Sequence, residues 1–382
     1  MLLPALVLLA APVTFYKDAL PILQQRCQQC HRPGEIGPMP LLGYADVRPW
    51  AKAIREAVLL KRMPPWHADP HYGKFSNDLS LTPAEIRTLV AWVDAGAPEG
   101  SPADSPPPRR FVDGWRIAQP DAIFEMPDDF HVPASGTLDY QYFLVPTNFR
   151  EDRWVEMLEV RPGNREVVHH AIVMTRPPTD GGSSRWGRYL AGYAPGAMPQ
   201  IWKPGHARLV PAGSDLVFQV HYTANGKPAV DRTRIGLVFA KRPPESQIVA
   251  MQAASHWFSI PAGAPNHRVD ASITLLEAVS LVGMRPHMHL RGKAFEFRAV
   301  YPTGESETLL RVPGYDFNWQ PYYYLAKPIP MPRGARIECT AWYDNSPNNP
   351  RNPDPAADVH WGEQSWEEMM IGWFDIAIPC AR

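Results

Sequence analysis

The sequence predicts a multidomain chain, a small all-α domain followed by two all-β domains built as antiparallel sandwiches. Three observations predict it. At 382 residues the chain exceeds one ordinary core. Its 44 prolines are about twice the average share, which disfavours long helices over most of the length. Helical periodicity is confined to the first hundred residues, and from about residue 111 onward short β-rich runs alternate with Pro, Gly, Asn and Asp turns. The expected divisions are 1–13, 14–100, a spacer at 101–112, and β-domains at 113–246 and 247–382.

Residues 2–11 form an apolar run of ten that is too short to span a bilayer. With Ala10-Ala11-Pro12 behind it, the run reads as the remnant of a secretory signal, although basic residues in front of it are lacking. Residues 46–60 place Val47, Trp50, Ile54 and Val58 on one face of an amphipathic helix, with Pro49 in its first turn. Thr82-Pro83-Ala84-Glu85 is a capping box. The stripe Ile86, Leu89, Val90 and Val93 continues that helix until Gly96 stops it. Ser101 to Arg110, with four prolines and no apolar period, reads as a spacer. The formal net charge of −1 leaves no basic field for nucleic acid or an anionic membrane.

Cys27-Gln28-Gln29-Cys30-His31 sits at the head of the helical region. Two thiols one helical turn apart can each add to a haem vinyl group, and the adjacent imidazole becomes the proximal iron ligand. The competing reading is a zinc or redox Cys pair. Zinc would need further soft ligands nearby, and the next Cys is Cys339. Covalent haem c is therefore expected, and residues 14 to about 100 resemble cytochrome c. Such a domain takes its sixth iron ligand from a later loop. Met63, before Pro64 and Pro65, is the expected thioether, with Met39, His67 and His71 as rivals. Haem c is normally attached outside the cytoplasm, so a periplasmic or secreted location is expected.

Among the β-rich runs at 140–145, 166–174, 216–222, 294–300 and 337–343, five histidines fall in three places: His169-His170, His221 and His287-Met288-His289. Positions i and i+2 of a strand share a face, so His287 and His289 can grip one metal. Adjacent residues face apart. His169 and His170 can share a metal only if one ligates through Nδ1 or the strand bulges. A lone histidine is usually structural, and His131, His206, His256, His267 and His360 are read that way. Three imidazoles would suit zinc, and a thioether completing a set favours copper. Met369 or Met370, in Glu367-Glu368-Met369-Met370, offers that sulfur.

With these motifs in that order, residues 113–380 resemble the copper type II ascorbate-dependent monooxygenases, the peptidylglycine α-hydroxylating and dopamine β-monooxygenase group. The resemblance implies jelly-roll-like sandwiches and one copper held by His169, His170 and His221. It implies a second copper, the one that meets O2 and substrate, held by His287, His289 and Met369 rather than Met370. Arg285 matches the arginine those enzymes aim at a substrate carboxylate. Departures are Met370 where secreted animal members have a disulfide-bonded Cys, and Ile371 and Trp373 where peptide-holding Asn and Tyr would stand. Cys380 is then the remaining partner for Cys339. The implied activity is hydroxylation of a C–H bond of a small organic substrate by O2, with electrons from ascorbate or another one-electron donor entering through the attached haem. The alternative is a haem/copper electron carrier without hydroxylase activity.

Overall fold

The computed structural model describes residues 12–111, 114–178 and 187–380, with strands in 39% of the chain and helix in 12%. The apolar run 2–11 lies outside the described residues. Two units result, one from Met1–Trp66 with Asp78–Gly114, the other from His67–Asn77 with Trp115–Arg382. His67 and His71, two of the rival iron ligands, thus belong to the larger unit.

In the smaller unit the capping box forms as the sequence predicts. Thr82 Oγ1 accepts the Glu85 N–H at 3.2 Å and Glu85 Oε2 accepts the Thr82 N–H at 2.6 Å, opening helix Pro83–Asp94. Gly96 takes a left-handed φ of 89° just beyond its end, the conformation a helix stop demands. Leu89 and Trp92 of this helix pack with Phe15, Leu20, Leu23, Val47, Ile54 and Val58. The single helix expected over 46–60 is instead three pieces, Tyr44–Val47, a 3-10 turn Arg48–Trp50, and Ala51–Leu59. Pro49 has no N–H to continue the α-helical ladder, and the tightened turn rotates Trp50 off the apolar face. Trp50 is consequently exposed rather than in the core.

The larger unit contains every β-run named above. Its nine-stranded sheet runs in the order Ala122–Glu125, Arg234–Phe239, Arg153–Arg161, His206–Val210, Ser246–Ser255, Met370–Pro379, Val279–His287, Tyr323–Met331, with Gln200–Ile201 also paired to Arg153–Arg161. A four-stranded sheet orders Gln141–Pro146, Asp215–Tyr222, Val168–Arg176 and Arg188–Tyr193. A second orders His267–Thr274, Arg336–Tyr343, Gly292–Val300 and Ser306–Val312. Alternate residues face inward, and Val155, Leu158, Val173, Phe218, Val220, Ile235 and Leu237 fill one core between the sheets.

One pairing corrects the purely antiparallel expectation. Ser246 and Gln247 pair in parallel with His206 and Ala207, and Gly205 O accepts the N–H groups of both Glu245 and Ser246. That seam falls at the expected 246/247 division, so strands from both sides of it share one sheet. Cys339 is a buried thiol, and neither it nor Cys380 is in a disulfide.

Candidate metal centre

Strand Val168–Arg176 pairs Val168 with Tyr222 and then His170 with His221, so His169 is the extra residue of a β-bulge. The bulge turns both adjacent imidazoles to one side, where the third joins them. Ligand nitrogens of His169, His170 and His221 all lie within 4.8 Å of one another. The two Nδ1 atoms of the pair approach to 3.3 Å. Among the described residues, the buried Nε2 of His169 has no hydrogen-bond partner. An orphaned nitrogen in an imidazole cluster is a donor that a metal ion could take.

Burial holds these rings neutral. It lowers His169 to about 3, with the neighbouring His221 and His287 adding to the shift. Burial lowers His221 to about 4 and depresses His170 strongly. Neutral imidazole is the ligating form. Sequence reasoning missed Tyr140, whose ring lies 5.2 Å from His170 and 4.9 Å from His221. Its hydroxyl donates to Glu363 O at 2.6 Å, tying this cluster to the loop that leads to Met369.

The second cluster grows from the end of strand Val279–His287, where His287 pairs with Ile371. That pair closes the ladder, and His289 and Met369 each lie two residues beyond it on their own segments. Met288 and Met370 are both wholly buried. The rings of His287 and His289 are 5.3 Å apart. His289 Nδ1 lies 3.2 Å from Glu367 O. A carbonyl only accepts, so Nδ1 carries the proton and Nε2 is left to ligate. His287 Nδ1 meets Gln320 Oε1 at 2.7 Å in the same way. Burial lowers His287 to about 4 and His289 well below its usual range.

Two further groups brace this cluster, Glu368 from within the Glu367-Glu368-Met369-Met370 run and the turn at 315–320, which carries no motif. The buried Glu368 carboxylate accepts the N–H of His289 at 2.8 Å and of Arg291 at 2.7 Å, binding the His-Met-His stretch to the Met369 segment. Residues 315–320 form a turn beside it. Tyr315 Oη accepts the Met288 N–H at 3.1 Å and donates to Met288 O at 2.7 Å. The Phe317 ring stacks on His169 with centroids 4.5 Å apart and meets His289 edge-on at 5.8 Å. The two clusters are thereby neighbours across one phenyl.

Arg285 lies opposite Trp373 in the same ladder, with its guanidinium 5.6 Å from the Tyr189 ring. Tyr189 is in turn 5.2 Å from Trp373. Buried Arg208 donates to Asp375 Oδ1 at 2.8 Å nearby. Tyr189, Arg208, Trp373, Gln247 and Gln252 line a cavity of about 380 Å³.

In the smaller unit, helix Leu20–Arg26 delivers Cys27, and one further turn brings the N–H groups of Cys30 and His31 to Cys27 O at 3.1 and 2.9 Å. Burial pushes the Cys27 thiol up to about 12. His31 Nδ1 is 3.1 Å from Met39 O, which leaves Nε2 for a ligand. Met63 is exposed.

No protein-family model matches the chain, and no curated protein matches it. Solved structures similar to it include the major capsid protein P2 of bacteriophage PM2, at TM-score 0.31 and 7% identity, covering 68% of this chain and 98% of that one. Another is PBCV-1 VP54 fitted into a reconstruction of the virophage Sputnik, at TM-score 0.25 and 9% identity, covering 70% of this chain and 96% of that one.

Proposed function

We propose that the chain is a copper monooxygenase that hydroxylates a C–H bond of a small organic substrate, fed with electrons through a c-type haem carried on its own smaller unit. The observation that carries this reading is the bulged strand at His169, which gathers three neutral imidazoles, His221 buried and His169 and His170 half-buried, and leaves one ring nitrogen without a hydrogen-bond partner. His169, His170 and His221 would hold one copper, and His287, His289 and Met369 the other. Copper in such sites supplies one-electron redox chemistry and an open position for O2, so that substrate, O2, two electrons and two protons yield alcohol and water.

The chain's own residues do the rest. Carbonyl and amide partners at Nδ1 of His287 and His289 fix which nitrogen ligates. A thioether in the second set favours the reduced ion there, while an all-imidazole set suits passing single electrons. Arg285, whose guanidinium lies 5.6 Å from the Tyr189 ring, would hold an anionic group of the substrate. Cys27 and Cys30 would tether haem c, with His31 Nε2 and Met63 as its axial ligands. Covalent linkage raises the effective concentration of that donor for the copper unit. Export to the periplasm or beyond suits both haem attachment and an external reductant. Among the described residues no helix is long and apolar enough to cross a membrane.

The test is metal analysis with EPR on the holoprotein, followed by O2 uptake across candidate substrates in wild type and Met369→Ala. One haem iron, two coppers and uptake abolished by the substitution support the reading. Equal uptake in both proteins favours an electron carrier, and zinc in place of copper refutes hydroxylation.

A further inference from the structure

The two imidazole clusters sit on different sheets, His169, His170 and His221 on a four-stranded sheet and His287 at the end of a strand of the nine-stranded one. No ladder joins those two strands, so something else must set the clusters' separation. Phe317 does so directly, with one face stacked on His169 and its ring also against His289. It is only 5% exposed, so bulk water does not fill that gap.

The turn presenting this ring is held from several sides. The Trp319 N–H donates to Asp316 O at 2.9 Å, and the Asn318 N–H to Asp316 Oδ1 at 3.0 Å. Arg351 pairs with Asp316 at 2.7 Å. Gln320 bridges inward, its Nε2 donating to Phe317 O at 2.8 Å while its Oε1 faces His287. The Gln320 N–H donates to Pro195 O at 3.2 Å, and Trp319 lies so close to Gly196 that a Cβ there would meet the indole at 2.5 Å. Gly196 also has a φ of 82°. The turn is therefore seated on residues from both sides of the 246/247 seam.

We propose that Phe317 is a spacer that makes the two clusters one coupled centre: a positioning residue that sets their separation and transmits occupation of one to the geometry of the other. The occupants are transition-metal ions, and in this the inference rests on the copper reading above. A metal that shifts the His169 ring must move the phenyl stacked on it, and the phenyl in turn abuts His289. One aromatic contact corresponds to a change of roughly threefold to tenfold in affinity at the second cluster when the first is filled.

The experiment is pulsed EPR of the full chain loaded with Cu(II), read as the copper–copper distance distribution in wild type, Phe317→Leu and Phe317→Tyr. The expected result is a single narrow distance in wild type and Phe317→Tyr, and a broadened or displaced one in Phe317→Leu. Copper uptake with an unchanged narrow distance in Phe317→Leu overturns the spacer and leaves the copper reading standing. Absence of copper uptake by wild type overturns both. Metal-free wild-type protein supplies a measurement that needs no variant. His169 ring protons should resonate upfield and show NOEs to the Phe317 ring, and their absence also overturns the proposal.

Discussion

The buried imidazoles make a quantitative demand on the metal-free chain. In the unfolded chain each histidine takes a proton near pH 6.5, whereas burial holds His169 to about 3 and His221 and His287 to about 4 in the folded state. Below pH 6.5 the unfolded state therefore binds more protons, and stability falls as pH falls. Between pH 7 and 5.5 each such ring should forfeit about 1 kcal/mol, so the three together should cost about 3–4 kcal/mol. His170 and His289 shift in the same direction and add to this loss. Urea titration of metal-free protein at pH 7.0, 6.25 and 5.5 measures the slope. His169→Asn should reduce the loss by about 1 kcal/mol. Copper at saturating concentration should raise stability above pH 6.5, if the assembled cluster binds the ion more tightly than the scattered ligands of the unfolded chain. A metal-free midpoint that does not move between pH 7 and 5.5, or a slope unaltered by His169→Asn, refutes the argument that these rings are buried and unprotonated.

Three further outcomes separate roles that the sequence alone could not. Met370→Ala should cost about 2–5 kcal/mol by leaving a cavity in the core yet retain two coppers, whereas Met369→Ala should keep most stability and lose the copper–sulfur signal in X-ray absorption. Glu368→Ala removes the acceptor of two buried N–H groups and should destabilise by about 2–5 kcal/mol in denaturant titration; an effect below about 0.5 kcal/mol would refute its bracing role. Cys27→Ser with Cys30→Ser should release haem into acidified acetone extraction, while either change alone should leave one thioether and a shifted pyridine haemochrome band.

Much of this was legible because period and motif are local. Alternation at 168–174 and 216–222 locates strands, and the Thr82-Pro83-x-Glu85 box marks a helix start to the residue, since both depend on neighbours a few positions away. The bulge at His169 was anticipated as one of two ways for adjacent histidines to share a metal, because strand alternation forbids a third. The exposure of Trp50 was not anticipated. A proline in a first turn is compatible with a continuing α-helix, and the 3-10 turn that displaced the indole is decided by packing. Phe317, Gln320 and Tyr140 carry no motif at all, and nothing in the Glu367-Glu368-Met369-Met370 run marks Glu368 as a brace. They brace the clusters through contacts up to 223 residues apart in sequence, as for Tyr140 and Glu363, and one chain has no pattern that encodes such a distance.

The bracing explains why the metal-free arrangement need not collapse. Five neutral imidazoles in a largely buried site gain little from one another, and His169 Nε2 has no hydrogen-bond partner. Hydrogen bonds to Glu367 O and Gln320 at Nδ1, two backbone N–H groups on Glu368, and the phenyl of Phe317 hold ring positions that the rings do not stabilise themselves. A site assembled this way loses little conformational entropy when an ion enters, so its affinity reflects ligand chemistry more than folding. The same rigidity carries a consequence for exchange. An ion preferring a flat four-coordinate field cannot pull the rings into place without breaking these braces, so loosening them through Glu368→Ala should widen the preference for Cu(II) over zinc, measured by competitive loading of the two ions. An unchanged preference would show that the thioether and imidazole donors alone, and not their bracing, select the metal.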